Sequence, residues 1–191
     1  MDKRIVDHKS RDLEFIPTSQ MSGEIIPEAI LIHYTAGSSL EGAVNTFRTG
    51  GVSAHLIIDR DGSAVQMVPY NRRAWHAGKS SWEGRPNLNG WSIGIELVNW
   101  GFLRKVGDQY FSWANTLINE TPFVEKNGSN LRYWQYYTCI QLMTCSRLIN
   151  DLKAEYGINL LLGHEEVSPG RKVDPGPAFP WKLYREERIK I

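Results

Sequence analysis

AILIHY, residues 29–34, is a short apolar run that leads through His33 and Tyr34 into Thr35-Ala36-Gly37. Too short for a helix and rich in isoleucine, it predicts a buried strand. On its C-terminal side Ser38 and Glu41 have the spacing of a capping box, and Leu40, Val44 and Phe47 recur at i, i+4 and i+7. That pattern predicts an amphipathic helix running to Gly50-Gly51. Ser53–Asp59 and Ala64–Val68 flank Asp61-Gly62, a hairpin signature. SIGIELV, residues 92–98, predicts a further strand with Ile93, Ile95 and Leu97 on one face and Gly94, Glu96 and Val98 on the other. Tyr133–Lys153 carries apolar residues at helical spacing and stops near Gly157, and Leu160–Leu162 predicts one more strand before a Pro/Gly-rich tail. Strands interleaved with helices, plus one antiparallel hairpin, predict a single α/β domain with a central mixed sheet flanked by helices. Residues 1–27 read as a polar, irregular N-terminal arm and 28–191 as the domain. Within it, 100–132 reads as an insertion, a small hairpin with an irregular loop that holds Trp100, Phe102, Tyr110, Phe111 and Trp113.

The chain has 191 residues, 41% of them hydrophobic and 23% charged, which excludes a disordered, collagen-like or disulfide-scaffold protein. Lys plus Arg total 22 against 21 for Asp plus Glu, a net charge of +1, so there is no electrostatic case for nucleic acid as a partner. No stretch reaches the ~20 apolar residues of a membrane span. The charged N-terminus has no apolar run of signal-peptide length, which predicts a cytoplasmic protein without membrane insertion. Cys139 and Cys145 fall in one helical stretch, about 600° of rotation apart, and read as free thiols.

Five histidines are present. His8 reads as a surface residue and His55 as a core or supporting one. His33 and His164 each stand at the end of a predicted strand, where ligand sites of α/β sheets collect. In Arg171-Lys172-Val173-Asp174-Pro175, the proline holds Asp174 out of helical backbone, and extended chain aims Lys172 and Asp174 the same way. Two imidazoles, one carboxylate and an open position suit catalytic zinc. Glu96, a carboxylate in mid-strand beside Gly94, calls for a partner or a role, and a general base fits, with the glycine leaving room for a ligand. A plainer account also stands on these residues alone: structural histidines, a Lys172–Asp174 surface ion pair, and Glu96 paired with Arg72 or Arg73. Neither an HExxH helix nor a GxSxG elbow occurs.

LIHYTAG (31–37), VSAHLIIDRDG (52–62), RAWHAG (73–78), NGWSIGIELVN (89–99) and GHEEVSPGRKVDPGPAFPW (163–181) resemble the type 2 branch of the zinc-dependent N-acetylmuramoyl-L-alanine amidases, which shares its fold with peptidoglycan recognition proteins. The likeness runs in register over most of the chain, from about Ile30 to Trp181. It implies one zinc on His33, His164 and Asp174, Glu96 as the proton-transferring glutamate, and Lys172 as the cation assisting beside the metal. The reaction implied is hydrolysis of the amide between the lactyl group of N-acetylmuramic acid and L-alanine, in peptidoglycan or muropeptides. A non-catalytic peptidoglycan-binding module of the same fold is the alternative, and a zinc hydrolase of some other amide a third. Trp75 and His76 read as cleft wall, and Arg72, Arg73 and Asn89 as candidates for the peptide-stem carboxylates. The role expected is muropeptide recycling or, for a phage enzyme released to the wall, lysis, with a lean toward intact-wall or broad muropeptide cleavage. The working unit expected is a monomer.

Overall fold

AILIHY is a strand covered on both faces: Ala29, Ile30, Leu31 and Ile32 are all 0% exposed. The computed structural model describes residues 13–185. In chain order its first strands are β1 (Glu14–Phe15), β2 (Met21–Glu24), β3 (Ala29–Tyr34), β4 (Leu56–Ile58), β5 (Ala64–Gln66), β6 (Arg72–Ala74), β7 (Ser81–Trp82), β8 (Arg85–Pro86) and β9 (Ser92–Leu97). Then come β10 (Phe102–Val106), β11 (Gln109–Phe111), β12 (Leu117–Ile118), β13 (Phe123–Asn127), β14 (Asn130–Trp134) and β15 (Leu160–Gly163). The helices are α1 (Leu40–Thr49), α2 (Cys139–Tyr156) and the short α3 (His164–Val167) and α4 (Trp181–Arg185).

The central sheet is mixed, in the order β1-β5-β4-β9-β3-β15. β3 runs parallel to both neighbours, β9 and β15, while β4 and β5 form the predicted antiparallel hairpin. Side-chain alternation sorts the sheet into two faces. Ile30, Ile32, Leu56, Ile58, Ile93, Ile95 and Leu97 turn to one side, where they meet Cys145, Leu148, Ile149 and Leu152 of α2. On the other side Ile57, Val65 and Met67 meet Ala43 and Phe47 of α1, and Leu31 and Leu162 meet Ala77, Leu88 and Val167. Each fully buried Leu or Ile contributes roughly 1.5–3 kcal/mol, so these two layers carry most of the fold's stability. The expected architecture of a single mixed-sheet α/β domain is the one observed.

Four local expectations are corrected. The α1 N-cap is Ser39, whose Oγ accepts from the Gly42 amide, and not Ser38. α2 starts after Thr138 caps the Gln141 amide, because Tyr133 and Trp134 belong to β14; Gly157, at φ 69°, ends it as expected. Residues 14–24 are no loose arm, since β1 pairs with β5 and β2 with β6. The insertion is a five-stranded antiparallel sheet, β12-β11-β10-β14-β13, where a small hairpin was expected. His8 lies outside the described residues. Cys139 is exposed, Cys145 is buried, and both are free. Among the described residues no helix is long and apolar enough to cross a membrane.

Candidate active site

Register brings the site together. In the parallel pairing of β3 with β9, His33 stands opposite Glu96. In the pairing of β3 with β15, Gly163 stands opposite Ile32, so the next residue, His164, is set down beside His33. The chain returns through the 168–174 loop, held by hydrogen bonds from the Lys172 amide to the Ser168 carbonyl and from the Glu165 amide to the Asp174 carbonyl. Asp174 arrives between the two imidazoles. The ligand atoms of His33, His164 and Asp174 lie within 4.8 Å of one another, and all three residues are buried.

Proton assignment shows what that cluster is suited to hold. His164 Nε2 lies 3.0 Å from the Ala77 carbonyl oxygen, an acceptor, and 3.3 Å from Arg171 Nη2, a donor that itself bonds that carbonyl; the closer acceptor places the proton on Nε2, and Nδ1 presents a lone pair. That lone pair faces Asp174 Oδ2 at 2.9 Å and His33 Nδ1 at 2.9 Å, and Oδ2 lies 3.0 Å from His33 Nδ1. Electron-rich atoms converging at this distance repel unless a cation lies among them. Burial pushes the His33 imidazole down to about 4, opposed by Asp174, so it is neutral near pH 7 and free to offer a lone pair. Burial pushes the Asp174 carboxyl up, and positive charge or a shared proton at Oδ2 draws it back below the ordinary carboxylate range. Two imidazoles offering Nδ1 and a carboxylate are the donor set of zinc, and they fit that ion.

Behind the cluster runs a hydrogen-bonded chain. His33 Nε2 is 3.0 Å from His76 Nδ1, His76 Nε2 is 3.4 Å from Ser92 Oγ, and Ser92 Oγ donates to the Leu88 carbonyl at 2.6 Å. Read from its fixed end, the chain places a proton on each Nε2 and leaves His33 Nδ1 to the cluster. Gly94 makes room for it, though not for a ligand as expected: a Cβ there would lie 2.5 Å from the His76 ring. His55 is structural, accepting from the Gly94 amide at Nδ1 and donating from Nε2 to the Arg72 carbonyl. Burial holds both His55, at about 4, and His76 below the ordinary histidine range.

A cleft of about 460 Å³ opens over the cluster, and Glu96, Lys172, Trp75 and His76 line it. Glu96 is 8% exposed, and its buried Oε2 has no hydrogen-bond partner among the described residues. The expected alternative of an Arg72 or Arg73 pairing is therefore not observed. Burial raises the Glu96 carboxyl to about 8, with the Asp174 charge adding to the rise and the Lys172 ammonium opposing it. A buried, unsatisfied carboxyl that exchanges protons near neutrality, open to a cleft, is what a general acid–base looks like.

The proposed substrate contacts divide. Trp75 is 37% exposed on the cleft wall, with the Arg73 guanidinium 6.0 Å from its ring centroid. His76 touches the cleft, but its ring nitrogens are engaged by His33 and Ser92. Asn89 is buried away from the cleft, and its Oδ1 accepts from the His76 and Ala77 amides, which fixes the loop carrying both. Arg72 likewise stands off the cleft lining and gives its carbonyl to His55. Sequence reasoning passed over Arg171, which donates to the Ala77 and Lys79 carbonyls and to Ser168 Oγ and so secures the strap that orients His164. It also passed over Glu165, whose Oε2 accepts from the Gly176 amide and fixes the turn after Asp174. Their signal was proximity to the ligands within the 163–181 string.

The N-acetylmuramoyl-L-alanine amidase family model matches residues 23–177. The chain is 37% identical over 137 residues to the 1,6-anhydro-N-acetylmuramyl-L-alanine amidase AmpD of Escherichia coli, covering 70% of this chain and 57% of that protein. It thus spans a little over half the length of the curated relatives it matches. A crystal structure of a selenomethionine AmpD derivative superposes with a TM-score of 0.70 at 27% identity, over 94% of this chain and 96% of that one. The N-acetylmuramyl-L-alanine amidase AmiD of Escherichia coli, solved with the substrate anhydro-N-acetylmuramic acid-L-Ala-D-γ-Glu-L-Lys, gives a TM-score of 0.66 at 29% identity, over 85% and 57% of the two chains. By the span of the matched family model, this chain belongs to the N-acetylmuramoyl-L-alanine amidase family.

Proposed function

We propose that the chain hydrolyses the amide between the lactyl carbonyl of N-acetylmuramic acid and the L-alanine nitrogen, in peptidoglycan or muropeptides, with one zinc ion held by His33, His164 and Asp174. The observation that carries this reading is the unpartnered Glu96 Oε2 in the same cleft as three converging lone-pair donors. The substrate solved with AmiD contains that same bond between anhydro-N-acetylmuramic acid and L-Ala. Zinc bound there supplies Lewis acidity, which brings the pKa of water down toward ~7 and polarises a carbonyl oxygen.

The protein's own groups do the rest. Glu96 takes one proton from the attacking water as the C–O bond forms, and returns it to the L-alanine nitrogen as the C–N bond breaks. The Lys172 ammonium opposes the rise of the Glu96 carboxyl to about 8, and zinc on the neighbouring ligands would add to that effect, so that Glu96 starts as the base. Lys172, half-buried on the cleft lining, places an ammonium where negative charge develops on the carbonyl oxygen. Trp75 offers an apolar face to the sugar or the stem. The non-catalytic alternative leaves the orphaned Glu96 carboxyl unexplained.

The test is amine release from an N-acetylmuramoyl tripeptide. Zinc-loaded protein is expected to free the L-alanine amine, to stop after chelation, and to resume when zinc is restored. Protein that holds zinc and releases no amine from this substrate, from its anhydro form or from sacculi overturns the reading. Rates on sacculi against soluble anhydro-muropeptides separate a lytic from a recycling role.

A further inference from the structure

The insertion sheet reaches the cleft at two points. Tyr34, which lines the cleft, lays its ring against Gly101, where a Cβ would lie 2.3 Å from the ring. Farther along, the Trp113 indole N–H donates to the carbonyl of Ala36, another cleft-lining residue, at 2.8 Å. Trp113 is nonetheless 72% exposed, so most of its ring stands open to solvent at the rim. Trp100 backs it edge-on, with ring centroids 6.2 Å apart and planes at 74°.

Trp113 does not hang on a loose loop. Ser112 beneath it is 0% exposed; its amide donates to the Thr116 carbonyl at 2.9 Å and its Oγ accepts from the Thr116 amide at 3.1 Å. The Asn115 amide closes onto the Ser112 carbonyl at 3.1 Å, and Arg104 donates to Asn115 Oδ1 at 2.9 Å. A turn fastened by four hydrogen bonds thus presents a large apolar ring to water, so a ligand that stacks on it incurs little ordering cost. Residues 34–40 and 110–117, which bracket this rim, carry no charged side chain. The cations of the cleft lining, Arg171 and Lys172, stand on another segment and suit the carboxylates of a peptide stem. The aromatic rim, whose own two segments are uncharged while Arg104 buttresses it from β10, suits the neutral remainder of the substrate, since a pyranose presents its axial C–H face to an indole while its hydroxyls stay in water.

From this we infer that Trp113, backed by Trp100, is a sugar-stacking subsite that takes a pyranose of the glycan chain one or more residues away from the muramoyl group in the cleft. The inference rests on the reading of the cleft as a muramoyl-amide site. It makes the insertion a device for preferring oligosaccharide over single-sugar substrates.

The experiment pairs kinetics with binding, on the zinc-loaded full chain. KM and kcat are measured on an N-acetylmuramoyl tripeptide and on a tetrasaccharide bearing the same peptide, for the wild type, Trp113→Ala and Trp113→Phe. Trp113→Ala is expected to raise KM for the tetrasaccharide about tenfold, the order of one stacking contact, with kcat unchanged and the single-sugar KM unmoved. Trp113→Phe, which keeps a ring face and loses the bond to Ala36, retains most of the preference. An equal loss on both substrates shows a merely structural role at Ala36 and overturns the inference, as does no change on either. Titration calorimetry with a peptide-free tetrasaccharide of alternating N-acetylglucosamine and N-acetylmuramic acid reads the subsite without hydrolysis. Binding by the wild type and not by Trp113→Ala supports the inference even if no amide is cleaved, whereas absent wild-type binding overturns it even if the single-sugar amide is cleaved.

Discussion

Replacing His76 by phenylalanine keeps a ring of similar size above Gly94 and removes the acceptor that faces His33 Nε2 at 3.0 Å. His33 is 1% exposed, so no water replaces that acceptor, and a buried N–H left unpaired costs about 1–3 kcal/mol. The imidazole escapes the penalty by moving its proton to Nδ1, the atom that faces His164 and Asp174. A protonated Nδ1 is no longer a ligand, so the cost reappears as lost metal affinity. Partners that orient metal-bound histidines are typically worth 10–100-fold, so His76→Phe is expected to weaken zinc binding by about that factor. The assay is competition against a chromophoric chelator near neutral pH, with circular dichroism and thermal midpoint as checks on folding. His76→Gln, whose amide oxygen accepts from His33, is expected to recover part of the affinity. A folded His76→Phe protein that holds zinc as tightly as the wild type refutes the reasoning and returns His76 to the cleft wall as a substrate contact only.

Three further outcomes are expected. Glu96→Gln, measured by metal analysis and amine release, retains one zinc per chain and loses about 10²–10⁴-fold in turnover, the usual worth of a positioned proton-transfer group; loss of the metal instead means that the glutamate's role is misassigned. Gly94→Ala sets a methyl 2.5 Å from the His76 ring, so chemical denaturation and zinc competition should both register the change, the first by about 1–3 kcal/mol of overpacking. For the thiols, burial pushes Cys145 up to about 12, so at pH 8 it stays protonated as well as shielded. A thiol reagent at that pH is therefore expected to titrate the exposed Cys139 promptly, and Cys145 only after denaturant is added.

The central fold was legible because its strands are apolar and its helices periodic. Ala29–Tyr34 and Ser92–Leu97 are long enough for burial and alternation to show, and the opposed parities of Ile95 and Glu96 separate core from cleft. The three-residue cluster proposed to hold the metal was legible because two of its members are histidines at strand ends and the third precedes a proline. What escaped lacks such signals. β1 and β2 have too few residues for a period of 2 to declare itself, and they are held by pairing with distant strands. The insertion sheet is largely exposed on polar residues such as Arg104, Lys105 and Lys126, so neither face is written as a hydrophobic row. Tyr133 and Trp134 fell in phase with the helix that follows and lengthened it on paper. Asn89 reads in the sequence as a candidate for a stem carboxylate, yet it is buried with its oxygen taken by two backbone amides. The His33–His76–Ser92 chain joins residues far apart in sequence: the register of β3 on β9 sets His33 and Ser92, and Asn89 holds the loop that brings His76 between them.

The most direct measurement is X-ray absorption at the zinc edge of metal-reconstituted protein, with stoichiometry taken on the same sample. The account predicts one zinc per chain, with two imidazole nitrogens at about 2.0–2.1 Å and protein oxygen at about 2.0–2.2 Å, and loss of that signature in His164→Ala. A chain that retains no zinc after equilibration, or a zinc shell without imidazole scattering, contradicts it.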